Sequence, residues 1–251
     1  MPIAAPRSKH SRPFSRRAFR QFSRAEKRWT DAVFGARPPG LDDAAIFANG
    51  LDFVSCATYH PDISSADKDC PMAIYFIRHG QSEFNAAYRG AEDPFIFDAP
   101  LTALGFEQAA EVRTRIPELE VTRVITSPLT RAIQTAQTIF DGIAPIEVRH
   151  GHHELLKYSG DVGRHPSELR IDFPHLSFDE LPHHWWHTHA DAEVQVPVEP
   201  VETFQKRVAG FVAKLAEIDT RRETVAIVGH GNAFQEIIGF MLNNCQVHKY
   251  R

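Results

Sequence analysis

The chain is poor in cysteine, methionine and tryptophan, with three of each in 251 residues. The cysteines, Cys56, Cys70 and Cys245, form no CxxC pair and are odd in number. That argues against a disulfide scaffold and suits a reducing, cytoplasmic compartment. No apolar run approaches the roughly 20 residues needed to span a bilayer. No Walker-type loop is present, and no helical HExxH zinc site. Gly229-x-Gly231 is not a dinucleotide fingerprint, because Phe234 stands where the third glycine belongs. Positive charge is scarce outside the first 30 residues, which hold nine Lys/Arg and one acidic residue, Glu26. The remaining 221 residues hold 19 basic and 31 acidic side chains, which speaks against a nucleic-acid-binding body.

What is present divides at Met72. In residues 14–29, Phe14, Ala18, Phe19, Phe22, Ala25 and Trp29 recur at helical spacing, with arginines mostly between them. This predicts a basic amphipathic helix, compatible with an organelle transit peptide. Residues 31–71 read as loop. The expectation is an N-terminal extension over 1–71, either a targeting segment or a start-site artefact, followed by a functional domain over 72–251.

From Met72 onward, strands alternate with helices. Strands are expected at 73–77, 121–126, 146–148 and 224–228. Helices are expected at 102–115, 128–140, 201–218 and 233–242. Thr102 is the expected N-cap of the first helix, with Ala103, Phe106, Ala109, Ala110 and Val112 facing inward. Pro128 is expected in the first turn of the second. Residues 150–200 are His-rich, Pro-interrupted and irregular. The alternation predicts an α/β fold with a mainly parallel sheet covered on both faces.

Three loops follow three of these strands: Arg78-His79-Gly80, Thr126-Ser127-Pro128 leading to Arg131, and Gly229-His230-Gly231-Asn232. In open α/β sheets, ligands bind beyond the carboxyl ends of the strands. The three loops are therefore expected to converge, although about 150 residues separate His79 from His230. A neutral imidazole can attack phosphorus and carry the phosphoryl group. Two guanidiniums can fork onto its oxygens. The residue types point to phosphoryl transfer.

The stretch Arg78-His79-Gly80-Gln81-Ser82-Glu83-Phe84-Asn85 resembles the signature of the histidine phosphatase, or phosphoglycerate mutase-like, superfamily. Ser127-Pro128-Leu129-Thr130-Arg131-Ala132 is similar to its second motif and Gly229-His230-Gly231 to its third. The resemblance covers roughly 73–242. It implies a three-layer α/β/α sandwich and His79 as nucleophile. It further implies Arg78, Asn85, Arg131 and His230 as phosphate-binding residues, and Glu154 as proton donor with His230 supporting catalysis. Asp161 is close enough to Glu154 in sequence to be an alternative donor, and Asn85 an alternative helix or turn cap. The residues after Glu154, Leu155 to Gly163, depart from the mutase pattern and favour the phosphatase branch.

The expected activity is therefore hydrolysis of a phosphomonoester on a small metabolite or a phosphoprotein, through phosphohistidine. The alternatives are phosphoglycerate mutase-type transfer and non-catalytic binding of phosphate or phosphoprotein. No metal or cofactor is expected. Specificity is expected in loops 86–100 and 150–200. A second Arg-His-Gly, at 149–151, lacks the serine and asparagine that follow the first. Nine of the 14 histidines lie in 150–189, and four of them, His183, His184, His187 and His189, are close enough in sequence to suggest zinc. A polar lid or loop is the plainer reading of that run.

Overall fold

The structure is a computed structural model and describes residues 73–90, 92–191 and 193–251. The expected basic helix and extension over 1–71 lie outside the described residues. The elements, in chain order, are β1 (Ile74–Arg78), α1 (Glu83–Ala87), α2 (Ala103–Arg113), β2 (Arg123–Thr126), α3 (Thr130–Phe140) and β3 (Ile146–Val148). They continue with α4 (Pro166–Asp172), α5 (Val201–Ala216), β4 (Val225–Gly229), α6 (Gly231–Ile238) and β5 (Val247–Lys249). Single 3-10 turns lie at Ile116–Leu119 and Ser159–Asp161.

The five strands form one sheet in the order β3-β2-β4-β1-β5. β1, β2, β3 and β4 pair in parallel, and β5 runs antiparallel to β1. Alternation along the strands splits the core into two faces. Ile74, Phe76, Ile125, Val225 and Ile227 pack with Phe211 and Leu215 of α5 and Phe234 of α6. Ile77, Val124, Ala226 and Val228 point the other way, against Ala109 of α2 and Ala132, Ala136, Ile139 and Phe140 of α3. This is the three-layer α/β/α arrangement. All five residues of β4 are buried, as expected for the central strand of a sheet covered on both sides. Each large side chain in these layers contributes about 1.5–3 kcal/mol by leaving water.

Several boundaries differ from the periodicity, each for an identifiable reason. In α2, Thr102 is the N-cap and accepts from the Gly105 N–H. The inward face, however, is Gly105, Ala109 and, in part, Val112, while Ala103, Phe106 and Ala110 are exposed. Gly105 decides this, because the helix docks through its backbone onto loop 80–81. A Cβ on Gly105 falls inside contact distance of the Gln81 carbonyl, and one on Gly80 lies 2.5 Å from the Gly105 carbonyl oxygen.

Helix α3 begins at Thr130, so Pro128 precedes it. Leu129 takes the N-cap position with extended backbone and no side-chain cap. The cap comes from across the fold, where Asp98 accepts from the Thr130 N–H at 2.8 Å and from its hydroxyl at 2.5 Å. Helix α6 starts at Gly231 and ends at Ile238, because Gly239 adopts φ 84° and closes the helix onto the Gln235 carbonyl. Edge strand β5 was not expected; three half-exposed residues carry too little alternation to be read. The irregular 150–200 region contains α4 and a satellite core. There Phe173, Phe178, Leu181 and Trp185 pack on Ile133 of α3 and on Leu129, its N-cap.

Candidate active site

Parallel pairing brings the strand ends to one level. Arg78 stands opposite Gly229, and Thr126 opposite Val228. The chain beyond each strand is tied to its neighbour. The His79 N–H donates to the Gly229 carbonyl at 3.0 Å, and the Ser127 N–H to the Val228 carbonyl at 3.1 Å. The loops after β1, β2 and β4 therefore converge, and their side chains are dry: His79, Arg131 and His230 are each at most 4% exposed.

The tautomer of His79 follows from its partners. Nδ1 lies 2.7 Å from the Gly80 carbonyl oxygen, which only accepts, so Nδ1 carries the hydrogen. Arg131 Nε–H donates to Nε2 at 3.3 Å, so Nε2 holds the lone pair. Burial, then the charges of Arg131 and Arg78, hold the pKa of His79 well below the usual imidazole value. The ring is thus neutral near pH 7, with Nε2 turned toward Arg131. His230 lies beside it, ring centroids 5.1 Å apart. Its Nε2 meets Ser127 Oγ at 2.7 Å, and its buried Nδ1 has no partner. Burial also holds His230 well below the ordinary value.

Arg131 is held on three sides: by His79, by the Gly160 carbonyl, and by Asp161 Oδ1 at 2.9 Å. Asp161 is buried with it, its pKa pushed up to about 6 by burial, with Arg131 pulling down and Glu154 pushing up. Arg78 Nη1 donates to the Leu242 carbonyl at 2.6 Å, while its buried Nε has no partner. Burial lowers the pKa of Arg78, opposed by the nearby Glu154 carboxylate. Glu154 is 7% exposed and accepts from the Leu155 N–H at 2.9 Å and the Asn232 N–H at 3.1 Å, which places it at the start of α6. A carboxylate there is favoured by the helix dipole.

Asn85 uses its carbonyl oxygen locally, accepting from the Ser82 N–H at 3.1 Å, while Ser82 Oγ accepts from the Asn85 N–H. This reciprocal capping box opens α1. The Asn85 amide nitrogen takes no part in it. Two histidines and two arginines thus come together as groups able to donate to an anion with tetrahedral oxygens, with the buried carboxylates of Glu154 and Asp161 beside the arginines.

The family model of the histidine phosphatase superfamily (branch 1) matches residues 74–251. The chain belongs to that superfamily. Among curated relatives, the "probable phosphoglycerate mutase GpmB" of Proteus mirabilis is 40% identical over 68 residues. That match covers 27% of this chain and only 30% of the relative's length. The protein of the same name from Escherichia coli K12 is 41% identical over the same share. Among solved structures, the ecdysone phosphate phosphatase of Bombix mori, in complex with tungstate, is similar with a TM-score of 0.53 and 18% identity. That similarity covers 72% of this chain and 89% of that one, and concerns the fold.

In this member of the superfamily, several residues that sequence reasoning passed over hold the site together. Arg207, on the polar side of α5, donates to the carbonyls of Gly151 at 3.0 Å, His153 at 2.8 Å and Glu154 at 2.8 Å. It also forks onto the buried Glu199 carboxylate at 2.8 and 2.7 Å. Asn244 Nδ2 donates to the His79 carbonyl at 2.8 Å, and the Cys245 N–H to that of Arg78 at 2.9 Å. The chain after α6 therefore fixes the backbone of the first motif. Loops 86–100 and 150–200 meet through Tyr88 and Tyr158 (2.8 Å), Ser159 and Asp93 (2.7 Å), and Arg164 and Asp98 (2.7 Å). No local pattern reveals these pairs, which are 66 or more residues apart.

The second Arg-His-Gly faces elsewhere. Arg149 is paired with Glu147 and Glu180. It and His150 line a cavity of about 590 Å³ between Glu147, Lys214 and Glu223. There its charge is matched by carboxylates rather than offered to an anion. Among the described residues, no helix is long and apolar enough to cross a membrane.

Proposed function

We propose that the protein is a phosphomonoester hydrolase that works through phosphohistidine formed on His79. The observation that carries this reading is the Nε2 lone pair of His79, held in that tautomer by the Gly80 carbonyl and facing Arg131 beside His230. In the first step Nε2 attacks phosphorus, and the bond from phosphorus to the leaving oxygen breaks with its electron pair on oxygen. Arg78, Arg131 and His230 bind the phosphoryl oxygens as charge redistributes, with the Asn85 amide nitrogen as a further donor. Glu154 protonates the leaving oxygen. In the second step Glu154 takes a proton from water, water oxygen bonds to phosphorus, and the N–P electron pair returns to Nε2. No metal enters either step.

Glu154 is preferred as the donor because its oxygens are engaged only by backbone N–H groups, whereas Asp161 is committed to Arg131. Burial favours Asp161 instead, pushing its carboxyl pKa up to about 6. Comparing Glu154→Gln with Asp161→Asn on alkyl and nitrophenyl phosphates separates them. The donor's variant fails chiefly on the alkyl ester, whose leaving oxygen needs the proton. Substrates are sought among small phosphorylated metabolites and phosphoproteins. A phosphate-release screen over sugar phosphates, nucleotides, phosphoglycerates and phosphopeptides tests the activity. Release of inorganic phosphate supports the hydrolase. Interconversion of phosphoglycerates without release establishes a mutase, and tight phosphate binding without turnover a binding protein.

A further inference from the structure

The His-rich segment does not assemble as its sequence spacing suggests. His183 and His184 meet His165, which lies 18 residues earlier at the N-cap of α4. Ring centroids are 4.0 Å apart for His165 and His183, 4.7 Å for His165 and His184, and 4.8 Å for His183 and His184. One ring nitrogen from each lies within 4.8 Å of the others. His187 and His189 are not in the group. None of the three belongs to the phosphate constellation.

Two features make this more than a crowded loop. His165 Nδ1 lies 2.9 Å from the His183 carbonyl oxygen, an acceptor, so Nδ1 carries the hydrogen and Nε2 is the free lone pair. A second-nitrogen bond to a carbonyl is how ligating histidines are commonly fixed in tautomer and orientation. The surroundings are also rigid on one side. Trp185 Nε1 donates to the Arg164 carbonyl at 2.9 Å, and a Cβ on Gly163 lies 2.5 Å from the Trp185 ring. Trp186 stands edge-on to His165 and His184, at 5.3 and 5.4 Å. Glu168 adds a negative charge nearby, accepting from the His165 N–H at 3.0 Å.

We propose that His165, His183 and His184 bind one divalent cation of the zinc type, at a site separate from the reacting atoms. Zinc–nitrogen bonds of about 2.0–2.1 Å in tetrahedral geometry separate ligand atoms by about 3.3 Å. The three nitrogens must therefore close by about 1.5 Å at most, and His183 and His184 are exposed and free to make that adjustment. The fourth position is left to water or an external ligand. Binding cross-links the start of α4 to the 183–186 loop. The same segment, through Arg164 and Asp161, braces Asp98 and Arg131. The cation thus stiffens the wall of the phosphate site without touching substrate.

The test is calorimetric titration of the full chain with zinc chloride. It is followed by nickel chloride quenching of tryptophan fluorescence, to which Trp186 beside the cluster reports. One equivalent of zinc is expected, with affinity at least tenfold weaker in His183→Gln/His184→Gln and in His165→Gln. His187→Gln/His189→Gln and His79→Ala retain it. The His183→Gln/His184→Gln chain, altered only at exposed positions, guards against His165→Gln simply misfolding. Four results overturn the proposal: no stoichiometric binding; binding unchanged by His183→Gln/His184→Gln; binding unchanged by His165→Gln, which a flexible histidine run predicts; or loss in His79→Ala, which puts the ion in the phosphate site.

Discussion

Replacing Arg207 with methionine removes the clamp that shapes the Glu154 loop while keeping most of the stem's volume. Three charge-assisted bonds to the carbonyls of Gly151, His153 and Glu154 are lost, together with both bonds to Glu199. Glu199, whose side chain is 2% exposed, is left buried without its cation. Breaking a buried pair from one side costs about 3–5 kcal/mol. For a domain of this size each kcal/mol is worth about 2–4 °C, so the melting temperature falls by about 6–20 °C. Stability alone does not isolate the positioning role, so the decisive assay is turnover well below the new melting temperature. With Glu154 no longer held, kcat for an alkyl phosphate is expected to drop about tenfold or more, as part of the 10²–10⁴ that general acid catalysis supplies. For a nitrophenyl phosphate, whose leaving group needs little protonation, the drop is smaller. Arg207→Lys falls between, since one ammonium cannot reproduce the fork. Equal losses on both esters, or full activity on both, refute the reasoning.

Other consequences are simpler to check. Ser127→Ala leaves His230 Nε2 unpartnered beside an already unpartnered Nδ1. It should cost about 1–3 kcal/mol by chemical denaturation and lower kcat. Gly105→Ala forces a methyl against the Gln81 carbonyl. A loss of about 1–3 kcal/mol is expected, with reduced turnover because loop 80–81 must shift. Burial holds His79, His152, His153 and His230 below the ordinary imidazole pKa, His152 at about 3. The unfolded chain takes up these protons near pH 6.5 and the folded chain does not. Stability is therefore full above that pH and falls as pH drops through it, by up to about 1.4 kcal/mol per unit for each histidine. Asp161, raised to about 6, takes up its proton earlier in the folded state and offsets part of the loss between pH 6 and 3.8. Urea midpoints that stay flat from pH 7.5 to 5 contradict this.

How much the sequence disclosed depended on the range of the interaction that decides each feature. Strands such as 73–77 and 224–228, and the face Phe204, Val208, Phe211 and Leu215 of α5, follow from side-chain period and were legible within a residue or two. The convergence of His79, Arg131 and His230 was legible because each follows a strand end, and parallel pairing does the rest. Boundaries set by distant groups were not. Asp98 caps α3 from 32 residues away, and Gly105 turns α2 by backbone contact with loop 80–81. Gly239 shortens α6 by a local signal that helical period alone overruns. The supports of the site, Arg207 with Glu199 and Asn244 with the His79 carbonyl, look like ordinary surface polar residues until the fold brings them in. Asn85 carried both readings in the sequence, and its cap is formed while its amide nitrogen stays uncommitted to it.

The proposed mechanism rests on uptake of the phosphoryl group by Nε2 of His79. It is tested most directly by rapid acid-free quenching of the enzyme during turnover of a phosphomonoester, followed by peptide mass spectrometry. One acid-labile, base-stable phosphate is expected on the peptide containing His79, absent in His79→Ala, whose turnover is abolished. Phosphate found on another residue, or a His79→Ala enzyme that retains turnover within about tenfold of the parent, contradicts it.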